Sequence, residues 1–134
     1  MRTSTDCAVL CEENGIILDY CSLPINKSLS FEDREEKYIV MDESEMTEAE
    51  KKTHLAHELG HCMTGAFYRP YSPLETRARC EYKANMWMIN NLMPKAEVEK
   101  AFSMGIVEVW ELAEYFGVTE DTVRLACYEY FDVE

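Results

Sequence analysis

Thr53-His54-Leu55-Ala56-His57-Glu58-Leu59-Gly60-His61-Cys62 carries the pattern His-Glu-x-x-His at His57, Glu58 and His61. On a helix, residues four apart share one face, one turn above the other. Both imidazoles can therefore grip one small metal ion. Glu58 follows the first ligand and lies beside the ion, where it can accept a proton from a water. Two histidine ligands, a carboxylate base and one open position make up the zinc hydrolase arrangement. The competing reading is an ordinary helix that happens to carry these letters. It is weakened because the chain has three histidines, all within eight residues. The flanks are also helix-compatible and half apolar, as a buried active-site helix requires.

A third ligand is available in Glu81-Tyr82-Lys83-Ala84-Asn85. Nineteen residues separate His61 from Glu81, the spacing of zinc peptidases in which a glutamate from a second helix completes a His2Glu site. Asn85 lies one turn beyond Glu81 on the same face. It is placed to orient a ligand histidine by accepting its other ring N–H. The bland alternative for Glu81 is a solvated helix glutamate. His54 is two turns from His61, roughly 10 Å along the axis, too far to share an ion with it. It reads as a structural neighbour of the site.

The 134 residues suffice for one domain, spanning 1–134, with a real core. A hydrophobic content of 47% argues for a folded chain rather than a disordered one. The net charge of −13 argues against binding a nucleic-acid backbone, which needs clustered Lys and Arg, and against anionic membranes. No stretch approaches the roughly 20 apolar residues of a membrane span, and the first residues lack the apolar core of a signal peptide. The expected location is the cytoplasm, where cysteines 7, 11, 21, 62, 80 and 127 stay reduced. Cys7 and Cys11 read as small core residues. Cys62 and Cys80 each adjoin a proposed ligand and point about 100° away from it around the helix, which makes them poor ligands.

Residues 5–13 predict a short helix ended by Asn14-Gly15. Strands are predicted at 15–20, 27–31 and 38–41, with residues 32–36 as a charged turn. Strands so close in sequence imply a small antiparallel or mixed sheet. Thr47 and Glu50 form a capping box that starts the motif helix, which runs to about Thr64 before Gly65. Ser72-Pro73-Leu74-Glu75 reads as a second box, opening a helix to about Met93 that carries Glu81. Ala78, Ala84, Trp87 and the methionines would pack it onto the first helix. Further helices are predicted at 94–104 and 107–116, with a last one capped by Thr119.

The final pair also resembles a helix-turn-helix, so a DNA-binding module is a rival idea. Charge decides against it. From Glu108 to Glu134 there are eight acidic residues and one basic residue, Arg124, a net −7. A recognition helix so charged is repelled by phosphates. Packing, or a surface for a protein partner, is the better reading.

The chain resembles the ImmA/IrrE family of zinc metallopeptidases, and looks closest to the short form found in phage and mobile-element modules. The resemblance spans most of residues 5–131. It is carried by Leu55-Ala56-His57-Glu58-Leu59-Gly60-His61, by Glu81-Tyr82-Lys83-Ala84-Asn85-Met86-Trp87 running on to Leu92-Met93-Pro94, and more weakly by Glu111-Leu112-Ala113-Glu114-Tyr115-Phe116-Gly117-Val118. It implies an α+β, minimal zincin-like domain: a small three-stranded sheet on an active-site helix, followed by several helices. It implies Zn2+ on His57, His61 and Glu81, Glu58 as base, and an endopeptidase that cleaves a helix-turn-helix transcriptional repressor, an anti-repressor activity. Lys83 departs from a position often acidic in the family and leaves the ligand set intact.

Peptide hydrolysis also needs a donor to the tetrahedral oxyanion. Tyr68, Tyr71, Arg77 and Arg79 are the candidates, and the sequence does not choose among them. Two other classes of function stand beside the peptidase. One is a non-catalytic zincin-like domain that disables a repressor by sequestration. The other is a purely structural metal site, which usually has four protein ligands rather than three.

Overall fold

The computed structural model describes residues 3–132. In chain order it has helix α1 (Ser4–Glu13), strands β1 (Ile17–Tyr20), β2 (Ser28–Asp33) and β3 (Glu36–Met41), and helices α2 (Glu48–Thr64), α3 (Leu74–Leu92), α4 (Lys95–Ser103), α5 (Val109–Phe116) and α6 (Glu120–Phe131). The fold is α+β, as expected. The sheet is mixed, in the order β1-β3-β2, with β1 parallel and β2 antiparallel to β3. No described helix is long and apolar enough to cross a membrane.

The β2–β3 hairpin is tighter than the sequence suggested. Residues 32–36 are not all turn: Asp33 pairs with Glu36, and Glu32 with Lys37. Only Arg34 and Glu35 make the turn, at φ 52° and 68°. Positive φ at both central residues is the two-residue hairpin geometry whose twist matches the flanking strands. The charged residues remain exposed there, so the strand carries them at no burial cost.

Helix α2 is the centre of the molecule. It packs on α3, α1, β2 and β3. Its start is the expected capping box: Thr47 Oγ1 accepts from the Glu50 N–H at 3.1 Å, and Glu50 Oε1 accepts from the Thr47 N–H at 3.0 Å. Its end is Gly65 at φ 70°, in the left-handed region. Leu55, Ala56, Leu59 and Cys62 of α2 join Ile39 and Met41 of β3 and Met88, Ile89 and Leu92 of α3 in one core. Cys7 and Cys11 are buried in the same core, and burial pushes their thiols up to about 12 and about 11.

The start of α3 differs from the expectation. Pro73 occupies the cap position and no side chain caps the helix. The Ser72 hydroxyl instead accepts from the Arg69 N–H at 2.9 Å, closing the turn before it. Ala78 is exposed rather than packed on α2, whereas Ala84 is fully buried. The closest approach of the two helices is at Gly60 and Ala84. A Cβ on Gly60 would stand 2.9 Å from Ala84 Cα, so only glycine admits α3 this near.

Candidate metal centre

Helix α2 presents His57 and His61 one turn apart, their rings 4.9 Å between centroids and nearly perpendicular. Helix α3, drawn in over Gly60, brings Glu81 to both. Glu81 Oε1 lies 2.9 Å from His57 Nε2, and Glu81 Oε2 lies 2.9 Å from His61 Nε2. The candidate ligand atoms of the three residues lie within 4.8 Å of one another. Thus the close helix packing and the ligand geometry are one feature.

The hydrogen bonds test whether a cation fits. The ring N–H at His61 Nδ1 donates to the Ala66 carbonyl at 2.6 Å, just past the end of α2. That bond fixes the tautomer and leaves a lone pair on Nε2, aimed at the meeting point with Glu81. Two imidazole nitrogens and a carboxylate converging on one point are a donor set suited to a divalent ion. Without an ion, the same groups pull on each other's protons. Hydrogen bonds from His57 and His61 hold the Glu81 carboxyl far below its ordinary range, against the effect of burial. Burial opposes charge on His61, but the bonds to Glu81 and to the Ala66 carbonyl outweigh it and raise its pKa.

Glu58 is 6% exposed and faces the opposite strand. Its Oε1 accepts from the Ser30 hydroxyl at 2.6 Å and its Oε2 from the Ser28 hydroxyl at 2.7 Å. Both serines are on β2, one of the two edge strands. With Leu29, Phe31, Phe67 and Tyr68 they line a cavity of about 470 Å³ into which His57, Glu58, His61 and Glu81 also face.

The four oxyanion-donor candidates separate cleanly. Tyr68 lines the cavity, with its ring 6.2 Å from that of His61. Burial, followed by a hydrogen bond with Glu81, raises its phenol pKa. Tyr71 is 79% exposed and not part of the cavity wall. Arg79 is exposed and pairs with Glu75 at 3.5 Å. Arg77 has a buried Nε without a hydrogen-bond partner and does not line the cavity. Asn85, expected to hold a ligand histidine, makes no hydrogen bond to His57 or His61 among the described residues. For His61 the backbone of Ala66 does that work. Ser28, Ser30 and the Ala66 carbonyl were missed in the sequence. A pair of serines two apart on a strand is the one signal that could have pointed to Ser28 and Ser30, since alternate residues share a face.

The family model described as IrrE N-terminal-like domain (Peptidase_M78) matches residues 11–128. The chain belongs to this family. The matched span contains the whole His57, His61 and Glu81 cluster together with Glu58. No curated protein matches the chain. The IrrE-like assignment makes the chain a zincin-like metallopeptidase in class.

Proposed function

We propose that this protein is a zinc-dependent endopeptidase whose substrate is a helix-turn-helix repressor, cleaved in the cytoplasm. The observation that carries the reading is the convergence of His57 Nε2, His61 Nε2 and the Glu81 carboxylate beside a buried glutamate. Two nitrogens and a carboxylate suit zinc, and three protein ligands leave the open position of a catalytic rather than a structural site. Bound there, zinc would polarise a peptide carbonyl as a Lewis acid and acidify water.

The chain's own groups would supply the rest. Glu58 takes a proton from the attacking water and hands it to the departing amine nitrogen. The Tyr68 hydroxyl is the donor best placed for a developing oxyanion, since it is the one of the four that reaches the cavity. The substrate class rests on the family resemblance. The acidic balance of residues 108–134 supports a protein partner over a nucleic acid.

The test incubates a panel of helix-turn-helix repressors with zinc and either wild type or Glu58→Gln. Wild type should cut one of them into discrete fragments. Glu58→Gln should keep its zinc and cut at least about a hundredfold more slowly. Equal cutting by both would remove Glu58 as the base. Derepression in cells by Glu58→Gln would show that sequestration, not cleavage, is the activity.

A further inference from the structure

We infer that His54 and Ser28, together with Ser30, are positioning residues for Glu58, linked in a directed chain from His54 through Ser28 to the carboxylate. The inference rests on the reading of Glu58 as base. His54 is one helical turn before Glu58, so α2 turns both side chains toward β2. Ser28 Oγ lies 2.7 Å from Glu58 Oε2 and 3.2 Å from His54 Nδ1.

Proton counting sets the direction. An ionised carboxylate only accepts, and a serine hydroxyl has one proton to give. The Ser28 proton therefore points at Glu58, and Ser28 Oγ is the acceptor toward His54. The proton between them must sit on the imidazole, which makes His54 the Nδ1–H tautomer with a bare Nε2. Burial keeps the ring neutral by lowering its pKa, against the pull of Glu58 and Glu50 and with the push of His57 and Lys27.

The arrangement explains why a histidine stands here. A serine hydroxyl alone rotates among staggered wells. An N–H donated to its oxygen blocks one side and aims the O–H at Glu58. Ser30 holds the other carboxylate oxygen at 2.6 Å. Each oxygen accepts one hydroxyl and keeps lone-pair capacity for the cavity. The buried carboxylate is thereby solvated by the protein in one fixed orientation, the condition a base needs in order to meet water repeatedly at the same angle.

The experiment is histidine-selective 15N NMR of the zinc-supplied protein at neutral pH, on wild type, Ser28→Ala and Ser28→Thr, beside steady-state kinetics on the same samples. In wild type and Ser28→Thr, His54 should carry its proton on Nδ1; in Ser28→Ala it should shift to Nε2. Ser28→Ala should lower kcat by about ten- to a hundredfold with KM unchanged, and Ser28→Thr should restore it. A wild-type His54 protonated on Nε2 would overturn the chain. Wild-type kcat in Ser28→Ala would overturn the positioning role while leaving the peptidase standing. If wild type hydrolyses nothing, the peptidase reading fails, and the tautomer still decides the network on its own.

Discussion

Replacing Gly60 with alanine sets two physical effects against each other, and the structure predicts which wins. Gly60 lies in the interior of α2, where alanine is favoured over glycine by about 1 kcal/mol of helix propensity. Judged from the helix alone, Gly60→Ala stabilises. The structure puts the α3 backbone in the way. The added Cβ would run into the Ala84 carbonyl oxygen, and would stand 2.9 Å from Ala84 Cα, against an ordinary contact of at least 3.4 Å. Backbone cannot swing aside as a side chain can, so α3 must retreat by about half an ångström or more. Overpacking of this kind costs about 1–3 kcal/mol and should exceed the propensity gain. The net loss, about 1 kcal/mol once the propensity gain is subtracted, should lower the thermal midpoint of a chain this size by about 3–4 °C.

The same retreat carries Glu81, one turn earlier on α3, away from His57 and His61. Metal sites tolerate ligand displacements of about 0.2 Å, so zinc affinity should fall as well, by about ten- to a hundredfold. The assays are thermal unfolding of the metal-free protein and zinc competition against a chromophoric chelator. Adding Ala84→Gly should not rescue, because the obstacle is the Ala84 backbone and not its methyl group. A midpoint equal to or above wild type, with unchanged zinc affinity, would refute the link between close helix packing and the ligand set.

Lys52→Met should destabilise by about 1–3 kcal/mol, because the fully buried Lys52 Nζ donates at 2.5 Å to the Phe116 carbonyl at the end of α5, and methionine keeps the stem but not the donor; chemical denaturation reads this, and wild-type stability would contradict it. The metal-free protein should gain most from the Glu81–histidine cluster between pH 4.5 and 6.5, the ordinary values of Glu and His. The depressed Glu81 contributes stability above 4.5 that is lost as pH falls, and the raised His61 contributes stability below 6.5 that is lost as pH climbs through its folded pKa. Zinc must displace the His61 proton, so its affinity should weaken as pH drops through that window. Denaturation and chelator competition across pH check both, and zinc affinity that rises toward acid would contradict them.

What the sequence made legible was local. His57, Glu58 and His61 are set by helical periodicity, and Thr47 with Glu50 by capping chemistry, both of which act within one or two turns. Glu81 was legible because its distance from His61 matches the spacing of zinc peptidases whose third ligand is a glutamate on a second helix. The hidden parts depend on relations that spacing does not encode. Ser28 and Ser30 meet Glu58 because β2 passes over α2, a tertiary fact about an edge strand thirty residues away. The partner of His61 Nδ1 is a backbone carbonyl, which no residue letter marks, and it took the place expected for Asn85. Ser72 looked like a cap by its sequence neighbours, but its hydroxyl was drawn into the preceding turn. Tyr68 was one of four equal candidates until the cavity wall separated them.

The most direct test of the account is the metal content of the purified protein, with wild type measured beside His61→Ala and Glu81→Ala. The account predicts about one zinc per chain in wild type, lost or much weakened in both variants while each remains folded. Wild type that binds no metal when zinc is supplied, or a Glu81→Ala variant that holds zinc as tightly as wild type, would contradict it.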